Sequence, residues 1–308
     1  MCVASGEPFK RWGSTETRDM SSSALEKVLM MYARRFPIRL GKLRLVDSLW
    51  QTVLSDRSTL RVATLKHGGF KMSCDLSEML QRQFYFFGTY FLEEDLLSCW
   101  ATVSKGAKVV LDVGANAGIY SLAAIAVQHD VVVHAFEPTP EIAAQLRATA
   151  KLNHLENLYV HEAAVLGENG QAVLNRCRGE FGDNEGMNFV TKDVGNSLAE
   201  HVKTISLDQF CQDRSIEQVD LLKLDVQGHE YSALKGAEHL IRAGLIGTIF
   251  MELNWNAKAG APCPADESIR LLAETDFLFS KPGTLLHWKK AGDWLRGLSD
   301  VVARRARA

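Results

Sequence analysis

The sequence predicts an α/β fold: a doubly wound, mostly parallel sheet with helices on both faces, preceded by a helical and hairpin extension. Three observations carry that expectation. From Lys108 onward, short β-branched segments alternate with helical ones. Those segments are almost continuously apolar, as strands buried on both faces are. Right-handed crossovers between parallel strands then wind the sheet in both directions.

The elements follow in order. Residues 1–22 read as a loose tail. Ser23-Ala-Leu-Glu26 has the form of a capping box. Leu25, Val28, Leu29, Tyr32 and Phe36 follow at helical spacing, and Pro37 stops the helix. A second amphipathic stretch runs from about Lys42 to Leu54. Residues 59–76, TLRVATLKHGGFKMSCDL, read as a hairpin turning at His67-Gly68-Gly69. Asp75-Leu-Ser-Glu78 offers another capping box, for a helix ending at Gly88, and a further helix covers about 91–103. Strands are expected at 108–113, 131–136 and 158–162, with helices from Ile119 and Pro140 and a hairpin-like insertion near 171–175. A strand at 219–225, a helix at 230–243, a strand at 246–252 and a helix near 265–275 continue the alternation. The last strands fall near 276–280 and 284–289. The expected division is tail 1–22, extension or cap 23–104, main domain 105–290 and a basic tail 291–308. In that tail Trp294, Leu295, Leu298, Val301 and Val302 share one helical face.

Bulk properties narrow the function classes. With 46% hydrophobic and 23% charged residues, the 308-residue chain reads as globular. A formal charge of −2 gives no bulk attraction to nucleic acid or an anionic membrane. The six cysteines, at 2, 74, 99, 177, 211 and 263, form no C-x-x-C pair, so they read as reduced thiols. No signal-like segment opens the chain, and no apolar run reaches the ~18 residues of a membrane span. A cytoplasmic protein without a membrane span is expected.

Ligands of such sheets sit at the carboxyl ends of the strands. The first strand ends in Asp112-Val-Gly114-Ala115-Asn116-Ala-Gly118, and a helix opens with Tyr120 and Ser121 in its first turn. Glycines allow the sharp turn and close backbone approach, and the helix N-terminus faces the ligand. A dinucleotide turn reads G-x-G-x-x-G. Here the spacing is G-x-x-x-G with an aspartate before it. That carboxylate suits a sulfonium or ammonium and repels a diphosphate. S-adenosylmethionine is the nucleoside that fits. Glu137, followed by Pro138, ends the second strand, where an acid can take both ribose hydroxyls, a device shared with NAD sites. Glu162-Ala163-Ala164 ends the third and leaves a slot for adenine.

Lys223, Asp225, Gln227, His229 and Glu230 crowd the end of the fourth strand. Charge there is costly unless used or paired. Asp225 could face the reacting centre and His229 could take a proton, or the histidine could simply open the helix. Glu252 and Asn254 alternate to one side at the end of the fifth strand. With Asp225 they could hold Mg²⁺, or bind a polar substrate directly without metal.

VLDVGANAGIYSL, AFEPTPE, VKTISLDQF, DLLKLDVQGHEYSALKGA and IFMELN together resemble the FkbM family of S-adenosylmethionine-dependent methyltransferases. The resemblance covers roughly residues 85–280. It implies the Rossmann-like class I methyltransferase sheet of seven strands, with methyl transfer to a hydroxyl of a small-molecule natural product or sugar. It also implies cofactor roles for Asp112, Gly114, Asn116, Gly118 and Glu137, and an acidic pair at Asp225 and Glu230. Many members carry a small residue where this chain has His229.

Asp225, His229 and Glu252 are the expected catalytic residues. Gln227, Glu230 and Asn254 are expected at the acceptor, together with Asn184 and Asn188 from a polar loop, 181–196, placed to act as a lid. The helices at 24–54 offer a cap or a homodimer contact. The alternatives are N- or carboxyl-methylation, an NAD-dependent oxidoreductase, and a silent S-adenosylmethionine-binding protein. Base-flipping motifs of nucleic-acid methyltransferases are absent.

Overall fold

A computed structural model describes residues 24–36, 41–54, 60–175, 178–179, 182–183, 189–191, 200–253, 255, 265–284 and 287–306. Seven strands make the main sheet: β1 Val109–Val113, β2 Val132–Phe136, β3 Leu158–His161, β4 Val219–Leu224, β5 Ile246–Glu252, β6 Phe277–Ser280 and β7 Asp300–Arg305. Their spatial order is β6-β7-β5-β4-β1-β2-β3. Only β7 runs antiparallel, between β5 and β6. The chain winds from β1 outward to β3 and then returns to the other side of β1, so β1 and β4 flank the switch point. A crevice at their carboxyl ends follows from that topology.

The helices are α1 Ala24–Arg35, α2 Lys42–Leu49, α3 Met79–Phe87, α4 Glu94–Val103, α5 Ile119–Val127, α6 Pro140–Leu152, α7 Leu207–Asp213, α8 Glu230–Lys235, α9 Glu238–Ala243 and α10 Ala265–Ala273. Neighbouring residues of one strand point to opposite faces, and the two faces feed separate cores. Val110, Leu221, Phe250 and Val302 pack with α1 to α6. Leu111, Leu222, Ile249 and Val301 pack with α7 to α10. In the first core, the fully buried Trp100 sits edge-on to Phe250 (5.1 Å) and Tyr120 (5.9 Å). The extension therefore does not hang beside the sheet; it joins α5 and α6 in one of its two covering layers.

Several elements differ from expectation. The hairpin forms over 60–64 and 71–75, with its turn at Lys66–Gly69 as expected. The second capping box does not form, and the first cannot be followed because its Ser23 is not among the described residues. The Glu26 carboxylate takes the guanidinium of Arg61 (2.9 Å). Asp75 accepts the backbone N–H of Ser77 (2.9 Å) in a tight turn, and α3 begins only after Glu78. The expected helix 230–243 is broken at Gly236. A Cβ there would lie 2.2 Å from the Leu166 carbonyl oxygen. Asp208 meets the break, donating its N–H to the Gly236 carbonyl and capping α9 with its carboxylate. The insertion near 171–175 belongs to a four-stranded sheet in the order 189–191, 170–175, 200–205, 164–165.

The largest correction concerns the end of the chain. Residues 300–305, expected as part of a helical tail, form β7. The strand expected at 284–289 is reduced, among the described residues, to a single bridge from Lys289 to Phe279. Val301, Val302 and Ala303 are buried and bridge both cores. A chain cut after residue 290 therefore leaves two strand edges unpaired. Such a protein is expected in the insoluble fraction on expression; recovery of soluble, cooperatively melting protein would contradict the placement of β7.

Candidate active site

A cavity of ≈ 810 Å³ opens at the carboxyl ends of the strands. Its size suits a nucleoside plus a second small molecule. The β1 turn makes one end. Gly114 (φ 74°) brings its backbone so close to β4 that a Cβ would lie 1.9 Å from the Asp225 carbonyl oxygen. Gly118 (φ 85°) plays the same part at α5, where a Cβ would meet Leu146 at 2.3 Å. Asn116, at φ 49°, donates its N–H to Glu137 Oε2 (3.0 Å). Thr139 N–H binds Glu137 Oε1 (2.9 Å), so the glutamate is fixed at the tip of β2. Burial pushes its carboxyl up, against the pull of those N–H groups. Ala115, Pro138, Ala163 and Ala164 line the same end.

The other end gathers charge. Asp225 Oδ2 pairs with Lys223 Nζ (3.0 Å) and Oδ1 accepts from the Gln227 amide (3.0 Å). That amide also donates to Glu252 Oε2 (3.1 Å), so one side chain clamps both acids. Gln227 reaches them from a left-handed backbone, φ 54°. Burial pushes the Asp225 carboxyl up, but the charge and hydrogen bond of Lys223 hold it below the usual carboxylate range. Burial and the Asp225 charge push Glu252 up to about 8. Lys223 is buried, yet Asp225, Asp112 and Glu93 outweigh that and raise it. Lys223 Nζ also lies 4.5 Å from the centre of the Tyr120 ring. His229 lines the cavity at the start of α8. The arrangement holds one ionised carboxylate beside one that shares a proton near neutrality, facing the turn that would hold a cationic nucleoside.

The match to a known family fits this geometry. The profile of the methyltransferase FkbM domain matches residues 112–279, more than half of the chain. The chain belongs to the FkbM family of methyltransferases. Among its FkbM-family relatives, the 31-O-demethyl-FK506 methyltransferase FkbM of Streptomyces tacrolimicus is 33% identical over 155 residues, covering 42% of this chain and 59% of that protein. The 2-O-methyltransferase NoeI of Sinorhizobium fredii is 25% identical over 150 residues, covering 45% of this chain and 61% of that protein. The chain thus spans about three fifths of the length of the curated relatives it matches. A solved SAM-dependent methyltransferase from Agrobacterium tumefaciens is 10% identical, with 81% of this chain and 70% of that one covered at a TM-score of 0.42. At that score it adds nothing to the strand order itself.

Not every expected site residue reaches the cavity. Asp112 is fully buried beneath the turn. Its Oδ2 accepts from Ser121 Oγ (2.6 Å), its Oδ1 has no hydrogen-bond partner among the described residues, and burial raises it. Both therefore support β1 and α5 and do not line the cavity. Glu162 is exposed and pairs with Arg147 of α6 (3.1 Å). Glu230 is also off the walls; its Oε1 takes the N–H groups of Val226 (3.2 Å) and Gly228 (3.1 Å) and folds the loop that presents Gln227. Asn184, Asn188 and Asn254 lie outside the described residues, as does most of the 181–196 loop. Among the described residues no group of three or more His, Cys, Asp and Glu is arranged for a metal ion. The Lys223 ammonium already sits against Asp225, so the Asp225–Glu252 pair does not fit Mg²⁺. No described helix is long and apolar enough to cross a membrane.

The cavity also contains residues outside the expected set. Tyr90 and Glu93 reach it from the segment before α4, Trp255 from beyond β5, and Asp300 from the first position of β7. Glu93 Oε2 accepts the Tyr120 hydroxyl (2.6 Å), which explains why Tyr120 is held on the wall.

Proposed function

We propose that this chain transfers the methyl group of S-adenosylmethionine to a hydroxyl oxygen of a small molecule, a natural product or sugar. One observation carries the reading: a single cavity is lined both by Gly114 and Glu137, after β1 and β2, and by the acids Asp225 and Glu252, after β4 and at the end of β5. Two relatives support it: NoeI is a 2-O-methyltransferase and FkbM a 31-O-demethyl-FK506 methyltransferase.

The residues fit the cofactor. Gly114 packs so closely on the end of β4 that no side chain could stand there, and its backbone stays on the cavity wall. Glu137 keeps acceptor capacity for two ribose hydroxyls beyond the two N–H groups it holds. The carboxylates at the far end favour positive charge. When bound, S-adenosylmethionine supplies a methyl group already activated by positive sulfur.

The chain's own task is then positioning and proton removal. A hydroxyl is a weak nucleophile at neutral pH and needs a base within hydrogen-bond reach. As the acceptor oxygen bonded to the methyl carbon, the sulfur–methyl bond would break, S-adenosylhomocysteine would leave and the acceptor's proton would pass to the Asp225–Glu252 pair, with His229 on the wall of the same cavity. Gln227 keeps the two carboxyls in register and Lys223 keeps Asp225 ionised. Alignment of two bound reactants supplies much of the remaining barrier reduction.

The test is direct. Calorimetry should detect binding of S-adenosylmethionine and not of NADH, and acceptor-dependent release of S-adenosylhomocysteine should follow. Tight NADH binding without S-adenosylmethionine binding would sink the reading. Binding without turnover over a broad acceptor panel would favour a silent binding protein.

The proton shared by Glu252 also sets a pH dependence. Methyl transfer is expected to rise as pH climbs through about 8, where Glu252 ionises. The same titration costs stability. Between the usual carboxylate range and about 8 the folded state holds a proton that the unfolded chain has released, so the melting temperature falls as pH rises through that window. Glu252→Gln should remove the inflection from the rate profile and flatten the melting profile; an unchanged rate inflection would clear Glu252 of the role.

A further inference from the structure

The acidic end of the cavity is completed by residues from outside the stretch that matches the family. Glu93 precedes that stretch and Asp300 follows it. Antiparallel pairing of β5 with β7 sets Asp300 directly opposite Glu252. Ser299 Oγ donates to Asp300 Oδ2 (2.7 Å), and Tyr120 donates to Glu93 (2.6 Å), so both carboxyls are oriented. With Asp225 and Glu252 they place four carboxyl groups on the walls with the Lys223 ammonium, and Asp225 alone is bonded to it. Tyr90 and Trp255 add aromatic rings to the same walls. The Trp255 indole is anchored by its N–H to the Leu298 carbonyl (2.7 Å).

This chemistry selects its ligand. Carboxyl groups accept hydrogen bonds from hydroxyls, and where ionised, as Asp225 is, they attract ammonium groups and repel a further anion most where water is partly excluded. Aromatic rings suit an apolar C–H face. A sugar ring presents both faces at once. We propose that Glu93 and Asp300 position the methyl acceptor through its hydroxyl groups and make the site selective for uncharged or amine-bearing sugar-like polyols over anionic ones. The proposal rests on the methyl-transfer reading above.

The experiment uses the full chain and three matched probes: methyl hexopyranosides, their amino-sugar counterparts and the corresponding methyl hexuronosides. S-adenosylhomocysteine release gives turnover, and calorimetry on the S-adenosylhomocysteine-loaded protein gives acceptor binding without chemistry. The expected result is turnover of neutral and amino probes with kcat/KM at least ~100-fold above the uronosides. Asp300→Asn and Glu93→Gln should each raise KM for the hexopyranoside by about tenfold, with kcat changed far less, and narrow the neutral-to-anionic preference by about tenfold. A purely structural role would leave that preference intact.

Equal use of hexosides and uronosides by the unaltered protein overturns the proposal. An unchanged preference in both variants does so too, as does failure of the loaded protein to bind any neutral or amino probe. In each of those cases intact S-adenosylmethionine binding leaves the methyl-transfer reading standing, whereas loss of that binding removes the reading itself.

Discussion

Asp225→Asn is expected to lower methyl transfer by roughly 10²–10⁴-fold, the usual contribution of a positioned base. The effect has two sources that can be separated. The substitution removes the charge that helps to hold Glu252 up near 8 as a proton acceptor, and it also strips Lys223, 5% exposed, of its bonded counter-charge. A buried charge left alone is destabilising, whereas replacing both partners often restores stability. Lys223→Met with Asp225→Asn should therefore melt closer to the unaltered protein and still fail in turnover. If the double variant regains activity along with stability, Asp225 acts only as the lysine's partner. Calorimetry with S-adenosylmethionine is the control, since the loss should fall on turnover far more than on cofactor affinity.

Glu26→Ala is expected to destabilise the fold by about 3–5 kcal/mol, the range for removing one partner of a buried pair. Glu26 and Arg61 have side chains 0% and 5% exposed. Two guanidinium nitrogens bind two carboxylate oxygens, at 2.9 and 3.3 Å, and the Tyr85 hydroxyl adds a third contact at 3.2 Å. The pair ties α1 to the hairpin, so the loss should appear as a melting temperature lower by many degrees. Glu26→Leu combined with Arg61→Met, which leaves no orphan charge, should recover most of it. A single variant that melts like the parent would show that α1 contributes little to the folded state.

What the sequence made legible was local chemistry at fixed spacing. The alternation of apolar strands and helices named the fold, because strands covered on both faces need that composition. Gly114 and Glu137 could be picked out because each follows the end of a strand, and Asp225 and Glu252 because charge at such a position is costly. The remainder depends on tertiary placement. Glu26 fitted a capping box, and nothing nearby betrayed a partner 35 residues away. Asp112 and Glu162 looked equivalent to Glu137, yet packing buries one and leaves the other in solvent. Residues 294–302 satisfy a helical period as well as a strand, an ambiguity inherent in short apolar runs. Misplacing β7 also hid Asp300, and Glu93 was hidden because it falls inside the helix expected over about 91–103.

The insertion of β7 between β5 and β6 bears on how the chain comes to be folded at all. Synthesis delivers residues 300–305 after both neighbours, so β5 and β6 cannot be joined into one sheet until then. Until β7 joins them, β5 and β6 each have an unpaired edge, the kind that captures other chains. Closure of the sheet and arrival of the Asp300 carboxyl are one event, and the acidic end of the cavity is therefore complete only in molecules that have finished folding.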